Sequence, residues 1–249
     1  MQAGRLWEID SLRGIAIILM VISNLVTDMA FFGISEIDAY SGFWLYFARL
    51  VVSMFILLAG ISLMLSYSRV RNKKPNDIHK KYFLRGAKIF GAGMLITLVT
   101  WIFIPRGFVL FGVLHLIGLS IIFGHFLLKR PKASLFLGIS FMLAGLFLQT
   151  MSFDFAWLVW LGLRPENYYT VDYVPILPWF GLFLIGMFLG NSLYPEGRRR
   201  FRLPNHSGIW LVRPLAFLGR NSLLIYLIHQ PVLIALLWLL FPFPQAFPL

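Results

Sequence analysis

The chain has 249 residues, of which 59% are hydrophobic and 13% charged, with a mean hydropathy of +0.80 and a formal net charge of +12. Because soluble domains carry about a quarter of their residues as charged side chains, this composition excludes an ordinary soluble domain and indicates an all-α integral membrane protein. The chain contains no cysteine, which excludes disulfides, thiolate metal sites and cysteine nucleophiles.

Apolar runs long enough to cross a bilayer recur along the chain, since a span needs roughly 20 apolar residues. They predict a single domain, residues 1–249, with a bundle of about seven transmembrane helices. In chain order these lie at 14–32, 43–66, 87–104, 109–128, 133–151, 175–193 and 215–240. The first run is long for a signal peptide and no small-residue cleavage site follows it, so we expect a retained helix. In the sixth span, Gly186 and Gly190 have the GxxxG spacing that favours close helix packing.

Lysine and arginine are concentrated in alternate loops of this pattern. Most of them fall on one side, whereas Arg106 and Arg164 lie in loops on the other side. The positive-inside rule then predicts a cytoplasmic N-terminus and an external C-terminus in the plasma membrane. Because the charge follows topology, it indicates membrane lipids as partners and does not indicate nucleic acid.

Four ionisable side chains are predicted to lie inside the spans at similar depth. At about 1.5 Å per residue, Asp28, Arg49, His115 and His229 all reach one layer in the outer half of the bilayer. Asn24 lies just inside that layer. Ionisable residues within a membrane usually face the bundle interior and mark a functional path.

Each of these residues also has a structural interpretation. Asp28 and Arg49 could form an ion pair that locks adjacent helices. An intramembrane histidine such as His115 is often satisfied within helix packing, and His229 could satisfy a backbone carbonyl freed by Pro231.

The cytoplasmic ends of the spans have a different chemistry. Arg13, Arg220 and Asn221 lie near the inner ends of the first and last spans, and arginine binds phosphate through several hydrogen bonds. We therefore expect a phosphate-bearing cytoplasmic ligand there. For Lys73, Lys74 and other loop cations, contacts with lipid headgroups are the favoured interpretation. No metal site is predicted.

Four stretches, taken in this order and spacing, resemble the catalytic membrane domain of the heparan-alpha-glucosaminide N-acetyltransferase family, and its prokaryotic branch most of all. They are RLWEIDSLRGIAIILMVISN, FGVLHLIGLS, PILPWFGLFLIGMFLG and LGRNSLLIYLIHQPVL. The first and last stretches are also similar to the wider transmembrane acyltransferase superfamily. The resemblance covers nearly the whole chain.

The resemblance implies transfer of an acyl group from cytoplasmic acetyl-CoA, or another acyl-CoA, to an external acceptor such as a sugar. In acyltransferase type 3 proteins a histidine follows the first-helix arginine after ten intervening residues, and here that position is Asn24. The heparan enzyme also has asparagine there and carries its histidine in the following external loop. In this chain residues 25–42 contain no histidine, so the chain departs from both patterns.

These observations lead to a hypothesis for the site. His115 or His229 is the general base, because imidazole accepts protons near neutral pH. Asn24 binds the acyl donor or stabilises the oxyanion, and Asp28, held near Arg49, orients the base. Arg13, Arg220 and Asn221 bind the CoA phosphates.

Two other functions fit the same residues. A layer of Asp, Arg and His near mid-membrane also suits a transporter or proton-coupled carrier, although no inverted repeat is found. A noncatalytic relative that binds acyl-CoA would explain the absent histidine. Pairing of chains into a homo-oligomer through helix faces is compatible with each of these functions.

Overall fold

The computed structural model describes residues 6–166, 168–206 and 208–241, and the regular elements in these ranges are helices. The exception is an isolated bridge between Phe111 and Tyr173. The helices are α1 (Trp7–Phe31), α2 (Gly42–Ser68), α3 (Pro75–Phe103), α4 (Val113–Gly124), α5 (Pro131–Leu148), α6 (Ile176–Leu193), α7 (Val212–Arg220) and α8 (Ser222–Leu240). Short 3-10 turns form at His125–Leu127, Val159–Leu161 and Pro195–Gly197. The predicted all-α fold is confirmed.

Within the described ranges, six helices are long and apolar enough to cross a membrane: α1, α2, α3, α5, α6 and α8. The protein is therefore a multi-pass membrane protein. Its fourth apolar segment, Val113–Leu127, is shorter and spans roughly 22 Å at 1.5 Å per residue, against about 30 Å for the bilayer core. The predicted count of about seven thus corresponds to six long helices and one short one. The orientation of the termini stays a prediction.

Three predicted boundaries were wrong. Helix α1 begins at Trp7, not at 14, and its first turn carries Glu8 and Asp10, whose negative charge is favourable at a helix N-terminus. Helix α3 begins at Pro75, not at 87, because proline at the first helical position has a suitable φ and needs no N–H partner. The predicted last span, 215–240, is two helices separated at Asn221. The Asn221 side chain donates to the Phe217 carbonyl at 2.9 Å, and such side-chain bonds compete with helix continuation.

The backbone contacts divide the chain into two compact units. The central unit comprises Ile56–Arg202, from the middle of the chain. The terminal unit comprises, among the described residues, 6–55, 203–206 and 208–241, from the two ends of the chain. Helix α2 contributes its first part to the terminal unit and its second part to the central unit. The single domain expected from the sequence stays a prediction.

In the central unit, glycines allow helix backbones to approach closely. A Cβ placed on Gly186 would lie 2.4 Å from the Leu57 carbonyl oxygen, and one on Gly190 would lie 3.0 Å from the Ile61 Cα. The predicted packing role of the Gly186 and Gly190 pair is confirmed. Small residues allow this close approach, and transmembrane helices associate mainly through close van der Waals contact.

In the terminal unit, α1 packs against α7 and α8. A Cβ on Gly14 would lie 2.0 Å from the Leu215 carbonyl oxygen, and one on Gly219 would lie 1.8 Å from that of Asp10. Beyond this crossing, Ile17 on α1 belongs to an apolar core that joins α1, α2 and α8. The core contains Ile17, Met20 and Val51 with Phe47, Phe55, Ile225 and Tyr226 packed against it.

We expect Gly14→Ala and Gly219→Ala to destabilise the protein by about 1–3 kcal/mol or more, because each methyl group would overlap a backbone atom that cannot rotate away. Thermal unfolding in detergent measures the effect. Gly91→Ala on α3 is the matched control, since a Cβ there meets nothing within 4 Å. Equal melting temperatures for all three variants would contradict the close α1–α7 contact.

Candidate functional site

The carboxylate of Asp28 is held by a partner that the sequence did not predict. Asp28 is 6% exposed, and Gln230 Nε2 donates to its Oδ1 at 2.6 Å. Its second oxygen, Oδ2, is buried and has no hydrogen-bond partner among the described residues. The contact ties α1 to α8 within the terminal unit.

The expected ion pair between Asp28 and Arg49 was wrong. Arg49 is exposed on α2, its backbone carbonyl accepts from Ser53 Oγ at 2.7 Å, and no salt bridge joins the two side chains. The hydrogen-bond donor to Asp28 is the amide of Gln230, not the guanidinium group of Arg49. A substrate-binding role for Arg49 stays a prediction.

His229 immediately precedes Gln230 and so lies at nearly the same height as Asp28. Its Nδ1 lies 2.6 Å from the Tyr226 carbonyl oxygen. Because a carbonyl can only accept, Nδ1 carries the hydrogen and Nε2 of the neutral ring keeps its lone pair. Pro231 frees the carbonyl four residues before it, which belongs to Leu227; the imidazole therefore bonds a different carbonyl from the one expected.

Asn24 lies one helical turn before Asp28, so both side chains project from the same face of α1. Asn24 Nδ2 donates to the Met20 carbonyl at 3.0 Å. A primary amide has two N–H groups and a carbonyl oxygen, so this bond uses one of its hydrogens. We call Asn24, Asp28, His229 and Gln230 the polar cluster of the terminal unit: Asp28 and Gln230 are in contact, and Asn24 and His229 are their neighbours along α1 and α8.

His115 belongs to the central unit and is 1% exposed. The Gly112 N–H donates to its Nδ1 at 3.2 Å, so the hydrogen of the neutral ring is on Nε2. That nitrogen lies 3.2 Å from Thr97 Oγ1, whose own hydrogen is donated to the Val109 carbonyl at 2.6 Å. Both ring nitrogens are thus engaged, which supports the packing role that the sequence left open and gives a catalytic role no support.

The residues around His115 also close the start of α4. The side chain of Asp172 accepts from the Val113 N–H at 3.3 Å and places a carboxylate at the helix N-terminus, where negative charge is favourable. A Cβ on Gly93 would lie 3.0 Å from the His115 ring. His115 is therefore enclosed on the side of α3 as well.

Two further histidines, His79 and His125, contact each other. His79 Nδ1 lies 2.8 Å from His125 Nε2, and His125 Nδ1 bonds the Ile122 carbonyl. In the part of the chain that the structure describes, no group of three His, Asp or Glu side chains is placed to hold a metal ion.

The three residues expected to bind a phosphate-bearing ligand lie together at the α1–α7 crossing. Arg13 Cβ is 3.0 Å from the position that a Cβ on Gly219 would take, and Gly219 is followed directly by Arg220 and Asn221. Arg220 is exposed and its Nε donates to the Ala216 carbonyl at 3.1 Å. The crossing therefore brings the backbone of Arg13 close to the end of α7 that carries Arg220 and Asn221.

Gln230 is the functional candidate that sequence reasoning missed. The signal was available, because any strongly polar side chain inside an apolar span needs a partner there. Because the glutamine amide is neutral, Gln230 does not belong to the ionisable residues on which the sequence-based site depends.

We expect His115→Ala to lower the free energy of unfolding by about 1–3 kcal/mol for the Gly112 N–H left unpaired, with a further loss from the cavity. Thr97→Val, which removes the bridging hydroxyl at similar volume, is expected to act in the same direction. Melting in detergent measures both, with Lys88→Ala at an exposed position of α3 as the control. Wild-type melting of both His115→Ala and Thr97→Val would refute the network.

Comparison with known proteins bears on both units. No curated protein matches the chain, and no solved structure matches it. The family model described as heparan-alpha-glucosaminide N-acetyltransferase, catalytic, matches residues 5–231. This range includes the α1–α7 crossing and ends just after the polar cluster of the terminal unit. The resemblance drawn from the sequence is confirmed, and the chain belongs to the heparan-alpha-glucosaminide N-acetyltransferase catalytic family, a family of membrane acetyltransferases.

Proposed function

We propose that this protein transfers an acyl group, acetyl in the simplest case, from cytoplasmic acyl-CoA to an amino or hydroxyl group of an external acceptor such as a sugar. Family membership supports the reaction class. The observation that carries the proposal is the His229 ring, whose Nε2 is unprotonated when neutral, one residue from the Gln230 that binds Asp28.

His229 is the general base in this proposal. The acceptor nitrogen or oxygen attacks the thioester carbonyl carbon, the new C–N or C–O bond forms, and the C–S bond breaks. The proton lost by the acceptor goes to His229 Nε2, and the departing thiolate of CoA takes up a proton. No oxidant or further reactant is needed, and an imidazole transfers protons readily near neutral pH.

Asn24 and Asp28 assist from the same face of α1. The second N–H of the Asn24 amide is the donor proposed for the oxyanion that develops on the thioester carbonyl. The Asp28 carboxylate, half occupied by Gln230, is the acceptor proposed for the attacking group. The catalytic assignment is thus His229 with Asp28, and His115 has a structural role.

The donor would be anchored at the α1–α7 crossing. Arg13, Arg220 and Asn221 would hold the CoA phosphates, since guanidinium groups match phosphate geometry. Along α1, Arg13 and Asp28 are separated by about 22 Å at 1.5 Å per residue. An extended donor is required to bridge that distance, which fits a thioester at the end of a long arm.

We expect His229→Gln to lower acyl transfer by roughly 10²- to 10⁴-fold, because a positioned general base contributes about that much. The variant keeps an N–H donor for the Tyr226 carbonyl, so binding of acyl-CoA should persist. The assay is transfer from acetyl-CoA to an amine or sugar acceptor by purified protein, with His79→Gln as the matched histidine control.

Unchanged transfer by His229→Gln would remove this residue from the chemistry. Wild-type protein that binds acetyl-CoA without turnover would identify a noncatalytic binder. Movement of acceptor into vesicles without CoA would identify a carrier.

We expect Arg220→Ala to raise KM for acyl-CoA roughly 10-fold with little change in kcat, because a charge-assisted hydrogen bond contributes about 1.5–3 kcal/mol. Arg213→Ala is the matched control, since it removes an exposed arginine from the other end of α7. Steady-state kinetics over a range of acyl-CoA concentrations gives both constants. Equal KM values for the two variants would place the phosphate site elsewhere.

A further inference from the structure

Gln230 is a strongly polar side chain on α8 for which the catalytic proposal has no chemical step. Its Nε2 donates to Asp28 Oδ1 at 2.6 Å, a short contact that joins residues 202 positions apart in the chain. The Asp28 side chain is buried, and its Oδ2 is left without a partner among the described residues. One oxygen of the carboxylate therefore has a donor, and the other, also buried, has none among the described residues.

We propose that Gln230 is a positioning residue for acyl transfer: it occupies Oδ1 of Asp28 and so presents Oδ2 to the attacking group of the acceptor. The inference rests on the proposed function and adds to it a residue outside the set predicted from the sequence.

The chemistry of an amide suits this role better than that of a cation. An arginine would bind both oxygens of the carboxylate at once and neutralise its charge. A glutamine amide binds one oxygen, keeps the net charge of the carboxylate, and limits its rotation. Since a buried acceptor without a partner costs about 1–3 kcal/mol, Oδ2 favours any ligand that brings an N–H or O–H to it.

The position of Gln230 also couples this carboxylate to the base. His229 and Gln230 are consecutive residues of α8, and the His229 ring is fixed by its bond to the Tyr226 carbonyl. One helix thus orients both the imidazole and the carboxylate partner. A change in the Gln230 contact is expected to alter the geometry of the attack and to leave donor binding unchanged.

The alternative is that the Asp28–Gln230 bond only holds α1 and α8 together. Exchanging the carboxylate and the amide between the two positions distinguishes this structural role from a positioning role. The variants are Asp28→Asn, Gln230→Glu and the double variant D28N/Q230E. Gln230→Glu sets two carboxylates against each other, whereas Asp28→Asn keeps an oxygen that can accept the Gln230 N–H and removes the charge of the carboxylate. The double variant restores an amide-to-carboxylate bond between the same helices but moves the carboxylate from α1 to α8.

For the double variant we expect a melting temperature near that of the wild type, with kcat still about 10- to 100-fold lower, because a small misplacement of a reacting group costs rate on that scale. Recovery of both melting temperature and kcat would overturn the positioning role. Wild-type kcat in Gln230→Glu would also overturn it.

Gln230→Met keeps the test decisive if the double variant does not fold. This change removes the donor without adding charge, and we expect a lower kcat per folded molecule at unchanged KM for acetyl-CoA. A rate that falls only in proportion to the folded fraction would overturn the proposal. Absence of transfer by the wild type would instead overturn the proposed function on which this inference rests, whereas transfer by the wild type with unaffected Gln230 variants overturns the positioning role alone.

Discussion

A carboxylate inside an apolar helix bundle must find a hydrogen-bond donor, and in this protein Gln230 supplies it to Asp28. Lipid offers no donor, and an unpaired charged group is costly there. The bond fixes the height of α8 against α1, and the positions of His229 and Asn24 follow from the geometry of their own helices. The polar cluster thus depends on one contact between the beginning and the end of the chain.

Close backbone approach makes the neighbouring contacts possible. Gly14 and Gly219 bring α1 and α7 so near each other that even a methyl group would overlap a carbonyl oxygen. This approach places Arg13 beside the end of α7, where Arg220 and Asn221 follow. Helix α1 therefore carries a basic group near its N-terminal end and a carboxylate with an amide toward its C-terminal end.

The sequence predicted the features that depend on composition and period. Apolar runs located the helices because burial in lipid requires length and hydrophobicity, and the family followed from motifs spread over most of the chain. The GxxxG spacing in α6 was also informative, since small residues at that interval have few roles other than close packing.

Features that depend on contacts between residues far apart in the chain could not be predicted from the sequence. Helix rise gives the height of Asp28 and Arg49 but not the directions in which their side chains project. The sequence therefore predicted Arg49 as the partner of Asp28, whereas the partner is Gln230. The packing of His115 depends on Thr97, which lies on another helix. The break before Ser222 arises because the Asn221 amide bonds the Phe217 carbonyl, a local competition that hydropathy does not register.

The stiffness of α1 has a consequence for selectivity on the assignment proposed above. A single continuous helix carries both the phosphate anchor and the carboxylate that faces the acceptor, so the interval between them is constant. Because this interval is constant, a donor whose phosphates bind at Arg13 places its thioester at a fixed height along α1. A longer acyl chain would extend beyond the thioester without moving its reactive carbon. Selectivity among acyl groups would therefore depend on the space next to the thioester.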